Sequence, residues 1–192
     1  MRKIDLRRDT ITLPTAEMKN RAFDAPLGDS VYGEDPMQEE LEEVAASRMG
    51  KQAALFVPSG TMGNLTALLT HTRRGEEVIM EENAHIRCSE TGGAACVGGL
   101  MIKTVPGEDG APDPRGVESS IRAENIHYPR TSLICLESSH HRYGGIVPPL
   151  EKFSHIQEIA RKHHLPVHLD GARVFNSALH LGVDVKEIAR YA

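Results

Sequence analysis

Four short apolar runs constrain this chain more than any other feature: Val78-Ile79-Met80, Ile102 to Val105, Leu133 to Leu136 and Leu165 to Leu169. Strands buried on both faces read as near-continuous apolar runs, whereas half-buried strands alternate. Helical patterns lie between them, the clearest from Pro149 to His163. This alternation predicts an α/β fold, a mostly parallel sheet with helices on both faces. Ala53 to Val57, closed by Pro58, reads as a further buried strand. Met37, Leu41, Val44, Ala45 and Met49 fall on one face of a helix ending at Gly50. Gly60 to Leu69 and Val185 to Tyr191 read as helices, and Gly107 to Pro114 as a surface loop. Gly92-Gly93 and Gly98-Gly99 mark tight turns or a close backbone approach.

Composition narrows the function. A chain of 192 residues buries one good core, so one domain is expected. A net charge of -5, with Arg7-Arg8 and Arg73-Arg74 as isolated pairs, argues against nucleic acid. The start lacks the apolar run of a signal peptide, and no apolar stretch is long enough to span a bilayer. Cys88, Cys96 and Cys135 are odd in number and scattered, which reads as buried free thiols in a reducing compartment. A cytoplasmic location is therefore expected, and Asn64-Leu65-Thr66 is read as a chance match to a glycosylation acceptor.

The residues that carry chemistry cluster at predicted strand ends. Pro166 to Arg173 runs from an apolar strand into Asp170, a Gly171-Ala172 turn and Arg173. Arg173 has the planar fork that grips a carboxylate. Pro58-Ser59-Gly60-Thr61-Met62-Gly63-Asn64 stands where a strand meets a helix, and free N–H groups at a helix start attract phosphate. The pattern is neither a dinucleotide fingerprint nor a nucleoside triphosphate loop. Taken alone, Gly60-Thr61 reads first as an N-cap, and Asp170 reads equally as a structural acid (an N-cap or a salt bridge to Arg173) and as a functional one. His85 and His140-His141 each follow a strand, where a histidine can stack on a ring or move a proton. His163, His164 and His168 lack a zinc spacing, and no metal is expected.

These residues resemble the threonine aldolases, pyridoxal-phosphate enzymes of the aspartate-aminotransferase-like fold. The matching blocks are Ile4-Asp5-Leu6-Arg7-x-Asp9-Thr10, Gly28-Asp29-x-Val31-Tyr32-Gly33-x-Asp35-Pro36, Pro58-x-Gly60-Thr61, Ala84-His85, Gly92-Gly93-Ala94, Leu136-Glu137-x-x-His140 and His168-x-Asp170-Gly171-Ala172-Arg173, in family order. The resemblance implies a fold-type-I, transferase-like large domain that binds pyridoxal 5'-phosphate and spans residues 1–192. It implies retro-aldol cleavage of threonine or allo-threonine to glycine and acetaldehyde. By it, Gly60, Thr61 and the Met62 backbone hold the cofactor phosphate, His85 stacks on the ring, and Asp170 pairs with the ring nitrogen. Arg173 takes the substrate carboxylate, and His140 or His85 the hydroxyl proton. A homo-oligomer is implied for the full-length form.

The chain departs from the family pattern at Arg8, where a serine is usual, and at His141, where an asparagine is usual. The family's cofactor-binding lysine has no counterpart here, since the last lysine, Lys186, falls in a helix. An incomplete large domain without the small C-terminal domain is expected, with little activity of its own. Two other readings stand beside it: a related β-eliminating lyase or racemase, and a non-catalytic short form that binds ligand or pairs with longer subunits.

Overall fold

Four of the apolar runs become the strands of one parallel sheet. The computed structural model describes Ile4 and residues 11–192. The first matching block, with Arg8, therefore lies outside the described residues apart from Ile4. The strands are β1 (Glu77–Glu81), β2 (Met101–Val105), β5 (Thr131–Glu137) and β6 (Val167–Asp170), in the order β2-β1-β5-β6. All three pairings are parallel. Two further strands, β3 (Gly107–Glu108) and β4 (Ala111–Pro112), form a small antiparallel hairpin.

Side chains of a strand alternate between faces, and each face here has its own core. Ile79, Ile134 and Leu136 point to one side. There they meet Val117 of α6 (Pro114–Ser120), Phe153 and Ile156 of α7 (Leu150–Lys162), Val174 of α8 (Val174–Leu181) and Ile188 of α9 (Val185–Ala189). Val78, Met80, Leu133 and Cys135 point to the other. They meet Leu68 of α3 (Gly60–His71), Ile86 of α4 (His85–Cys88) and Ala94 of α5 (Gly93–Cys96). The chain passes from β1 to β2 over the second face, then steps across β1 to β5 by way of the first. The direction of winding reverses between β1 and β5, and in open α/β sheets ligands bind at the carboxyl ends beside such a reversal.

Helix α2 (Pro36–Met49) starts on Asp35, whose carboxylate caps Met37 and Gln38, and ends on Gly50 in a left-handed conformation. Its limits match the sequence reading, but its face does not: only Ala46 is buried, and Leu41 and Val44 stand half in solvent. Helix α1 (Ala16–Phe23) buries none of its residues.

Three expectations are corrected. Residues 53–57 form no strand and pair with none among the described residues, and Leu55 and Phe56 are exposed. Apolar content alone does not make a strand, which needs a neighbour for its N–H and C=O groups. Gly107 to Pro114 is a hairpin rather than a loose excursion. Asp109 and Gly110 both take positive φ (53° and 77°), as a two-residue hairpin turn requires, and Ala111 is buried in the core. Of the cysteines, Cys135 is buried, Cys88 half-buried and Cys96 exposed, all as free thiols. Burial, with the nearby Asp170 charge, pushes the Cys135 thiol well above its ordinary pKa.

Candidate active site at the carboxyl end of the sheet

Three strands end in a buried acid: β1 in Glu81, β5 in Glu137 and β6 in Asp170. A buried carboxylate must find donors, and each here folds onto N–H groups of the loop that follows. Glu81 accepts from Asn83 N–H at 2.6 Å. Asp170 Oδ1 accepts from Ala172 N–H at 3.2 Å, within the Gly171-Ala172 turn. Glu137 accepts from His141 N–H on one oxygen and from His85 N–H on the other, each at 2.7 Å. That clamp joins the ends of β1 and β5 across the winding reversal. It also sets the His85 and His141 rings edge to face, with centroids 5.6 Å apart.

The residues expected to act together fall into two groups. Asp170, 8% exposed, is joined to α3 by Asn64, whose Nδ2 donates to Asp170 Oδ2 at 2.9 Å and to Glu90 Oε1 at 2.8 Å. Asn64 Oδ1 accepts from His168 Nε2 at 2.9 Å, which fixes the orientation of the amide. Glu90 Oε1 in turn lies 2.9 Å from His85 Nδ1. A chain of hydrogen bonds therefore runs His168–Asn64–Asp170 and Asn64–Glu90–His85. His85 keeps part of its ring in solvent, with 31% of the side chain exposed. Its Nε2 has no hydrogen-bond partner among the described residues.

His140 belongs to the second group, behind the first. It is fully buried, its Nε2 lies 3.0 Å from Glu81 Oε2 and 3.7 Å from Glu137 Oε2, and Tyr143 packs edge-on to its ring at 4.9 Å. Tyr143 also donates to Glu81 at 3.1 Å. His140 Nδ1 is buried without a partner among the described residues. Of the two histidines expected near a substrate hydroxyl, His85 alone reaches solvent.

One turn before Asn64, α3 begins on Ser59, whose hydroxyl accepts from Met62 N–H at 3.2 Å. The N–H groups of Gly60 and Thr61 have no partner among the described residues, and a Cβ built on Gly60 would meet nothing within 4 Å. The helix start is open to solvent, with residues 58–62 exposed. Arg173 stands half-buried just after the Asp170 turn, at the start of α8. Lys186 is exposed on α9, with its stem beside Gly50 at the end of α2. His163 lies 3.4 Å from Glu118, whereas His168 is bonded to Asn64, so the two histidines have separate partners. His85, Glu90 and Asp170 could bring three ligand atoms within 4.8 Å, but the Asn64 amide already donates to both carboxylates. A cleft at the amino end of β5 contains Arg122, whose guanidinium is bound on two nitrogens to Glu77, both at 3.0 Å.

Asn64, Glu90 and the clamping role of Glu137 were not foreseen. Asn64 carried one signal: a polar residue one helical turn after Gly60, on the face that α3 turns to the sheet.

A parallel sheet wound in two directions, with an open helix start hydrogen-bonded through Asn64 to a buried acid at a strand end, defines a ligand-binding α/β fold. The beta-eliminating lyase family matches residues 5–192, and the chain belongs to that family. It is 45% identical to low-specificity L-threonine aldolase 1 of Arabidopsis thaliana over 100% of its own length and 55% of that protein's. It is 42% identical to the low specificity L-threonine aldolase of Escherichia coli K12, over 98% of this chain and 56% of the relative. The chain thus spans about half the length of the curated relatives it matches. In fold it is similar to Leishmania major threonine aldolase, with a TM-score of 0.78 over 91% of this chain and 52% of that one, at 24% identity.

Proposed function

We propose that this protein is the cofactor-binding portion of a pyridoxal 5'-phosphate-dependent aldolase. It would cleave threonine or allo-threonine between Cα and Cβ, giving glycine and acetaldehyde. The observation that carries the reading is the placement of Asp170, one hydrogen bond from the helix that opens with Gly60-Thr61 and three from His85. The residues fit that cofactor. The open, unpartnered helix start suits a phosphate, the buried acid suits a ring nitrogen that must stay protonated, and the half-exposed imidazole suits a ring face.

Bound pyridoxal phosphate supplies an electron sink for the Cα–Cβ bond electrons. The chain's residues do the rest. Gly60 and Thr61 N–H groups, with the Thr61 hydroxyl, hold the phosphate, while Met62 N–H remains committed to Ser59. Asp170, held by Asn64 and Ala172 N–H, keeps a proton on the ring nitrogen. Arg173 grips the amino acid carboxylate and orients the bond to be broken. His85 takes the β-hydroxyl proton at Nε2. His140 contributes from behind, steadying Glu81 and Glu137. The free thiols agree with a reducing, cytoplasmic setting.

The test is product analysis with added cofactor on the protein extended to the length of its relatives. Glycine and acetaldehyde from threonine support the reading. Pyruvate from serine or tryptophan, without glycine from threonine, would replace it with β-elimination, the reaction for which the family is named. With Lys186 on a helix beside Gly50 rather than on a strand, the 192-residue chain itself is expected to release negligible glycine.

A further inference from the structure

Glu90 is a buried carboxylate, 6% exposed, to which the reaction outlined above gives no part. Its surroundings are unusual. Both of its hydrogen bonds end on the same oxygen: Asn64 Nδ2 at 2.8 Å and His85 Nδ1 at 2.9 Å reach Oε1. No lysine or arginine pairs with it among the described residues. Among the described residues the imidazole is the only ionisable donor it has.

An ionised carboxylate only accepts hydrogen bonds. The proton between Glu90 and His85 therefore sits on Nδ1, and a neutral His85 must carry its lone pair on Nε2. The side chain that carries it is 31% exposed, and its ring packs edge to face with His141. Asn64 reinforces the arrangement. Its oxygen is taken by His168, so its amide can only donate, to Glu90 on one side and to Asp170 on the other. The ring is thus fixed in tautomer by Glu90 and in place by the Glu137 clamp on its backbone. The logic is that of any base oriented by a third group.

We propose that Glu90 is a positioning residue: it holds His85 in the Nδ1–H tautomer and thereby makes Nε2 the proton acceptor of the site. The use made of that acceptor rests on the aldolase reading, whereas the tautomer does not. Through Asn64, Glu90 also shares one amide with Asp170, so the acceptor and the acid beneath the cofactor ring are held by a single side chain.

The experiment is long-range proton–nitrogen correlation of the histidine rings in the 15N-labelled protein, at about pH 8, above the ordinary histidine pKa of about 6.5. His85→Gln assigns the signal. Wild type should show Nδ1 protonated and Nε2 bare, the reverse of the preference of a free imidazole. Glu90→Gln keeps an oxygen acceptor for both donors and should preserve the tautomer. Glu90→Ala removes it, and the Nδ1–H signal should give way to Nε2–H. An Nε2–H tautomer in wild type overturns the proposal, and so does an unchanged His85 spectrum in a folded Glu90→Ala protein. Should Glu90→Ala fail to fold, the wild-type tautomer still decides. Correct tautomer with no glycine in the product assay means that the aldolase reading failed and the positioning stands. Glycine release with His85 as Nε2–H means the opposite.

Discussion

Among the described residues, buried polar side chains at the strand ends are held by one another and by backbone N–H groups. Asn64 is the hub, since its amide is the side-chain partner of both Glu90 and Asp170. Replacing Asn64 with Leu leaves two buried carboxylates short of a donor, and an unsatisfied buried group costs about 1–3 kcal/mol. A loss of that size for each should appear in urea unfolding; a change under about 0.5 kcal/mol would mean that water or a rearranged neighbour replaces the amide. His168, the residue that orients Asn64, yields a pH dependence. Its pKa is lowered by burial, with the negative Asp170 pulling the other way and His71 adding to the drop. Above about pH 6.5 the ring is neutral in both folded and unfolded chains. As the pH falls through that value toward the depressed folded one, only the unfolded chain takes up the proton, so stability declines. His168→Gln, whose amide can still donate to Asn64, should flatten that decline relative to wild type; identical slopes would remove His168 as its source. At this scale the sequence reveals Asp170, His85 and Gly60, because each adjoins a strand end or a turn. It hides Glu90, since a buried glutamate in a short loop looks like an exposed one until its partners from α3 and α4 are placed.

Secondary elements repeat the lesson with a different cause. Strands β1, β2, β5 and β6 and helices α3, α7 and α9 stand where the sequence places them, most clearly β1 and β5, because a strand buried on both faces writes itself into local composition. Residues 53–57 have the same composition and no strand, because pairing is not a local property. The hairpin was legible and overlooked: Asp109-Gly110 is a strong two-residue turn signal, masked by the shortness of β3 and β4. The turn has work beyond its own strands. A Cβ on Gly110 would lie 2.6 Å from His140 Cβ, and its φ of 77° is one that other residues adopt only under strain. Gly110→Ala should therefore destabilise the fold by at least about 1–3 kcal/mol. It should also perturb the Tyr143 environment, because Tyr143 packs on His140. Thermal unfolding and tyrosine fluorescence measure the two effects, and a melting temperature equal to wild type would show that the hairpin lifts away from His140 without penalty.

Viewed whole, the molecule keeps two well-filled cores around its sheet and leaves a third apolar population outside them. Phe23 (91%) and Leu179 (82%) are nearly free, and Leu55, Phe56 and Phe175 are about half exposed or more. Strand β6 has β5 on one side and no strand on the other among the described residues. Isolated apolar residues on a surface need no explanation, but exposed apolar faces beside an open sheet edge are a standing invitation to association. Phe175 and Leu179 lie four residues apart on α8, hence on one face of it, and α8 directly follows β6 and the Asp170 turn. The 192-residue chain should therefore self-associate, with a weight-average mass that rises with concentration in sedimentation. Phe175→Glu with Leu179→Lys places an ion pair on that face in the favourable order along the helix. The double variant should shift the distribution toward monomer while leaving the unfolding midpoint within the small range of surface substitutions, about 0.5 kcal/mol either way. A lowered midpoint would mean that these two side chains serve the core of their own subunit. A wild-type chain that sediments as a single monomer at every concentration would show that its edge and α8 face are already protected from one another's copies.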